Sequence, residues 1–210
     1  RGLDVRVWLK SSSRIVCFCP PSFYGERCQY QNQRIGLTIR FRSMSDSRET
    51  LFAIVVLLVD DSPERTIHSS EQFTYLSARD CQIRFQHYLL YASRPKDSNK
   101  TYSIHMDIYE KASLAYRASY AFAIPFPFLP VHRLALSVNI TGNVEEIERC
   151  SDASCGHGRC LQYANSPQQF CQCHEGWSGR TCHIGYNHTC SSDQSQLRTD
   201  VPKRRSMCFQ

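Results

Sequence analysis

"IGLTIRFR", residues 35–42, decides how this chain folds: Ile35, Leu37, Ile39 and Phe41 alternate with Gly36, Thr38, Arg40 and Arg42. Side chains of a strand point alternately to its two faces, so a period of two predicts a strand with one apolar and one polar face. The same alternation recurs further out, at Ile83 and Phe85, at Tyr102, Ile104, Met106 and Ile108, at Tyr116, Ala118, Tyr120 and Phe122, and at Leu134, Leu136, Val138 and Ile140. "LFAIVVLLV", residues 51–59, is continuously apolar and suits a central strand covered on both faces. Turn clusters at Ser43–Asp46, Asp60–Pro63 and Pro95–Asn99 separate the runs, and Pro125, Pro127 and Pro130 break any helix between Tyr120 and Val131. About seven strands over residues 32–143 predict a mainly β fold, an antiparallel β-sandwich. Its alternating strands should bury a core without help from the flanks, with Cys81 inside as a small hydrophobe.

Twelve of the 210 residues are cysteine, and their placement divides the chain. Cys17, Cys19 and Cys28 lie before the strand-rich segment, eight lie between Cys150 and Cys208, and Cys81 alone stands between those groups. Such usage is typical of chains that oxidise their thiols after export, which predicts an extracellular or cell-surface location reached through the secretory pathway. Flanks of roughly 30–40 residues are too small to be stable on apolar burial alone and call for covalent help. The longest apolar run stops at Asp60-Asp61, well short of the about 20 residues a membrane helix needs, so any membrane attachment falls to segments outside this chain. A chain opening on Arg1 reads as an internal piece of a longer protein, with its signal peptide upstream. The net charge of +6 comes from scattered residues, and the one cluster, Lys203-Arg204-Arg205, reads as a solvated loop, so nucleic acid is not an expected partner.

Cys150, Cys155, Cys160, Cys171, Cys173 and Cys182 close on a loop carrying Gly176-Trp177 and Gly179. This spacing resembles the epidermal growth factor (EGF) like module. The resemblance implies disulfides joining Cys150 to Cys160, Cys155 to Cys171 and Cys173 to Cys182. Gly176 and Gly179 then suit turns with positive φ, and Trp177 is placed to cover a disulfide. His157, His174 and His183 raise zinc as a competing use of the cysteines, but closed zinc sites favour paired C-x2–4-C knuckles rather than C-x-C followed by a long loop. Cys17-Phe18-Cys19, followed by Gly25 and Cys28, repeats the frame, with Ser22 where Gly176 stands. A second, partial module is implied, with a Cys19–Cys28 bridge and a partner for Cys17 upstream of Arg1. "RRSMCFQ", residues 204–210, echoes "SSRIVCFC", residues 12–19, and points to a third module bridged by Cys190 and Cys208. The expected organisation is residues 1–31 as the end of one EGF-like module, 32–143 as the sandwich, 144–183 as a full module and 184–210 as the start of another.

Sequons at Asn99, Asn139 and Asn187 mark three candidate N-glycosylation sites, each in a predicted turn, linker or polar strand position. No G-x-S-x-G, H-E-x-x-H or P-loop occurs, so the reading is non-enzymatic, with no cofactor and no metal. Acidic ligands around the module are too few for calcium, and Asp60 and Asp61 read as turn residues rather than calcium ligands. His132-Arg133 reads as a surface pair. The expected function is that of an adhesion or receptor ectodomain segment with a protein or glycan ligand, in which EGF-like spacers flank a ligand-contacting sandwich. The alternative is a secreted carbohydrate- or lipid-binding protein acting through the sandwich. "AFAIPFPFLPVHR", residues 121–133, holds Phe126 and Phe128 in backbone stiffened by proline, which makes those two rings the candidate binding residues, unless they cap the core.

Overall fold

A computed structural model describes residues 2–9, 12–20, 22–43, 47–93, 95–126, 129–140 and 155–185. The chain is mainly β. In order, the strands are β1 (Leu3–Leu9), β2 (Ser12–Phe18), β3 (Phe23–Tyr24), β4 (Tyr30–Gln31), β5 (Arg34–Ser43), β6 (Leu51–Asp60) and β7 (Ile67–Leu76). After the short helix α1 (Ser77–Asp80) come β8 (Phe85–Leu90), β9 (Tyr102–Glu110), β10 (Tyr116–Ala123), β11 (Val131–Ile140), β12 (Gly158–Gln162), β13 (Gln169–Cys173), β14 (Trp177–Ser178) and β15 (Ile184–Gly185).

Seven strands between Arg34 and Ile140 form a four-stranded sheet, ordered β10-β9-β6-β7, and a three-stranded sheet, ordered β11-β5-β8. Both sheets contribute to one core. Ile35, Leu37, Ile39 and Phe41 enter it from β5, Phe52, Ile54, Val56 and Leu58 from β6, and Ile104, Met106 and Ile108 from β9. The period-two pattern therefore translates directly into a buried face, worth roughly 2 kcal/mol for each large side chain withdrawn from water. On β6 the opposite phase, Ala53, Val55 and Leu57, is half-buried, which accounts for the unbroken apolar run.

Four features depart from the sequence reading. β11 pairs with β5 in parallel, so the three-stranded sheet is mixed. This is possible because the chain between them runs through the other sheet, and parallel neighbours need such a long crossover. β7 was not anticipated: in "IHSSEQFTYL" only Tyr75 is fully buried, because the strand lies at a sheet edge. A bulge at Arg117 shifts the register of β10, so Tyr116 leaves the core phase of Ala118 and Tyr120 and turns to the outer face. Finally, Cys81 is an exposed free thiol at the end of α1 rather than a core residue, and Ile83 precedes β8 and is exposed.

The remaining strands build small cross-linked units. β1 pairs with β2 and β3 with β4; β12 pairs with β13 and β14 with β15, all antiparallel. Among the described residues, no helix is long and apolar enough to cross a membrane.

Candidate functional site

The two C-x-C-x8-C loops share their bridge and closing turn but differ at one position, where Gly176 has a φ of 81° and Ser22, its counterpart, does not enter the positive-φ region. Cys19 is bonded to Cys28 and Cys173 to Cys182, with Cα separations of 5.3 and 5.2 Å. Phe23 N–H donates to the Pro20 carbonyl as Trp177 N–H donates to that of His174, and Cys28 N–H to Gly25 as Cys182 N–H to Gly179. Gly25 and Gly179 have φ of 98° and 87°, a region open to glycine at no steric cost. The closing cysteines, Cys28 and Cys182, also have positive φ, at 52° and 57°. Gly2 and Gly158 occupy equivalent close approaches: a Cβ there would lie 2.6–2.8 Å from the Sγ of Cys28 or Cys182.

The preceding hairpins differ in a way that bears on the cysteines. Cys160 faces Cys171 across β12 and β13, whereas Asp4 faces Cys17 across β1 and β2, so the first hairpin has a carboxylate where the second has a disulfide cysteine. Cys155 is bonded to Cys171. Cys17 is a free thiol whose Sγ lies 3.1 Å from that of Cys28. Cys17, Cys19 and Cys28 crowd together closely enough to suggest a metal cluster, but two of them are already spent in a disulfide. His157 stacks on Trp177 with ring centroids 3.4 Å apart, and Trp177 packs on the disulfide cluster.

The β12–β13 hairpin has two faces with different tasks. Cys160 and Cys171 point into the disulfide cluster, whereas Arg159, Leu161, Phe170 and Gln172, one residue out of phase, meet the outer face of the four-stranded sheet. Leu161 and Phe170 are buried against Tyr116 of β10, with Tyr109 and Tyr163 packed alongside. Gln172 donates to the Tyr109 hydroxyl at 3.3 Å, and the Arg159 guanidinium lies 5.5 Å from the Tyr116 ring centre. Asn165 brackets Ala121, accepting from its N–H at 3.0 Å and donating to its carbonyl at 2.8 Å. Burial raises the phenols in this seam, Tyr109 to about 12, with the negative charge of Asp107 adding to the rise. They are uncharged donors and acceptors at neutral pH.

At the end of the seam, Tyr163, His105 and Arg65 converge. The Tyr163 hydroxyl lies 3.0 Å from His105 Nδ1 and accepts from Arg65 Nη2 at 3.1 Å, while His105 Nε2 lies 2.9 Å from Asp107 Oδ1. Arg65 is held there by a turn organised around Asp60. This buried carboxylate accepts from the amides of Ser62 and Thr66, from the Ser62 hydroxyl and, at 2.7 Å, from Lys100 Nζ. Burial alone would raise the Asp60 carboxyl, but the hydrogen bonds from Lys100, Ser62 and Thr66 outweigh it and hold the group well below the usual carboxylate range. Inside this turn Arg65 has a φ of 48°, a left-handed conformation that is uncommon outside glycine. The Arg180 amide donates to the Pro63 carbonyl at 2.9 Å and ties the disulfide loop to the same turn.

The other expected site residues are dispersed. Asn99 is exposed in a turn, and Asn139 is exposed on edge strand β11. Phe126 is about half exposed, with its ring 6.0 Å from that of His132, which is buried rather than at the surface because β11 turns it inward beside β5. Asp60 and Asp61 hold the turn through Lys100 and Thr101. Cys150, Cys190, Cys208, Asn187 and Phe128 lie outside the described residues. The sequence reading missed His105, Asp107, Tyr109 and Tyr163. A signal was present: His105, Asp107 and Tyr109 alternate with the core residues of β9, and that phase is too rich in hydrogen-bonding groups for an idle solvent face.

No family model matches the chain. Among solved structures, an alternative pilotin from the type II secretion system of Vibrio cholerae aligns with a TM-score of 0.40 and 16% identity, over 54% of this chain and 100% of that one. A superposition that loose carries no argument about fold or function.

Proposed function

We propose that this chain is a non-enzymatic binding segment of an extracellular or cell-surface modular protein, part of an adhesion or receptor ectodomain. In this reading the seven strands between Arg34 and Ile140 form a β-sandwich and residues 155–185 belong to an EGF-like module. The observation that carries the proposal is the duplicated disulfide loop, with the same bridge, the same turn hydrogen bonds and two matching positive-φ positions, Gly25 with Gly179 and Cys28 with Cys182, on both sides of the β core. Short cross-linked units of this kind depend on an oxidising compartment for their stability. The module is more than a spacer: Leu161, Phe170 and Tyr163 seat it on the sheet, so the two act as one recognition body. The exposed Asn99 and Asn139 are the proposed glycan carriers, and the half-exposed Phe126, in the loop between β10 and β11, is the proposed apolar contact.

The test is binding by the whole secreted chain, multimerised on fluorescent beads. Binding to cell surfaces that protease treatment abolishes supports an adhesion or receptor role. Selective retention on a glycan array or on lipid vesicles supports the carbohydrate- or lipid-binding alternative, and no retention on any of them overturns the proposal.

A further inference from the structure

A cavity of about 240 Å³ opens in the seam, between the Asp60 turn, β9 and the disulfide loop. Its lining includes Asp60, Arg65, Ser103, Tyr163, Phe170 and Arg180. We propose that this cavity binds a single carboxylate of an acidic peptide segment on a protein partner, between the Arg65 and Arg180 guanidinium groups.

The charges around the cavity are unevenly matched. Asp60 is already neutralised by Lys100, and Asp107 is held by His105 and the Ser119 hydroxyl. Arg65 spends one nitrogen, Nη2, on His105 and Tyr163, and its guanidinium carbon lies 5.8 Å from the Phe170 ring centre; no carboxylate faces it among the described residues. Arg180 is exposed, and among the described residues only its backbone is hydrogen-bonded. Arg65 and Arg180 line the same cavity as Tyr163, whose hydroxyl accepts from Arg65. Guanidinium groups match carboxylate geometry and are favoured where charge is partly desolvated. Phe170 and Val59 supply apolar wall for the methylene stem of a glutamate, whereas a sulfated polysaccharide would need a longer basic track than two arginines.

The inference rests on the proposed role in recognition, but its test is separate. The whole chain is titrated by calorimetry with N-acetyl-hexaglutamate, with hexaglutamine and with a heparin-derived hexasaccharide, beside the variants Arg180→Ala, Arg180→Gln and Arg84→Ala. Arg84 is exposed and lies outside the cavity. Hexaglutamate is expected to bind, and both Arg180 variants to weaken it by about tenfold or more, the loss of one charged hydrogen-bonded pair. Arg84→Ala should bind as the parent does, and all melting temperatures should stay level. Equal affinity in the Arg180 variants, binding of the sulfated hexasaccharide alone, or no binding of hexaglutamate overturns the site. Partner binding that persists in Arg180→Ala and resists competition by hexaglutamate leaves the recognition role standing and removes only this pocket.

Discussion

The Tyr163 hydroxyl meets Nδ1 of His105 at 3.0 Å, across 58 positions of sequence, and this contact joins a disulfide-braced hairpin to the outer face of a sheet. Arg65 bonds to both partners, so the phenol is fully engaged. Removing it by Tyr163→Phe leaves the buried His105 and the half-buried Arg65 each short of a bond and should cost about 1–2 kcal/mol. Phe170→Ala, which empties a buried aromatic site at the same seam, should cost about 3 kcal/mol. Urea unfolding of the whole chain measures both. If neither variant moved the midpoint, the seam would carry no stability.

Asp60 has a pH signature. Its carboxyl is depressed in the folded chain, so its contribution is fully present above the ordinary carboxyl value of about 4 and is lost as pH falls below it toward the folded value. Asp60→Asn should lower stability by about 2 kcal/mol at pH 7 and flatten the stability profile between about pH 4 and 2. The variant should also loosen the Arg65 turn, visible as faster amide exchange at Thr66. A parallel loss of stability at every pH would contradict the assignment.

The cysteines separate into two classes that chemistry can distinguish. In the native, unreduced chain, iodoacetamide should label Cys81, which is exposed and free. Peptide mapping should recover Cys155 with Cys171 and Cys173 with Cys182 as linked pairs. Replacing both Cys173 and Cys182 by Ser should cost about 3 kcal/mol through release of the loop. Labelling of Cys173 and Cys182 without reductant would refute the bridge.

Phe126 is half exposed, so Phe126→Ser should change stability by no more than about 0.5 kcal/mol while reducing binding of the beads to their partner. A lower melting temperature with unchanged binding would mark the ring as part of the packing instead.

The sequence made the core legible because a buried face leaves a period-two record: the residues named from "IGLTIRFR" and from β9 are the ones that enter the core. Edge strand β7 left a weak record, since one fully buried tyrosine in ten positions does not make a pattern. Tyr116 was misplaced because a bulge changes phase without changing composition. The seam was illegible for a different reason. Arg65, His105 and Tyr163 are scattered along the chain, each ordinary in its own segment; the Asp60 turn brings Arg65 to His105, and only the docking of β12 and β13 adds Tyr163.

Residual dipolar couplings of the whole chain report whether the β12–β13 hairpin is docked rigidly on the sheet. Amides of β6 and β9 and those of β12 and β13 should fit one alignment tensor, with the same magnitude and orientation, because Leu161, Phe170 and Tyr163 fix the hairpin on the sheet. Two tensors of different magnitude would mean that the hairpin moves independently of the sheet and that no rigid docking exists.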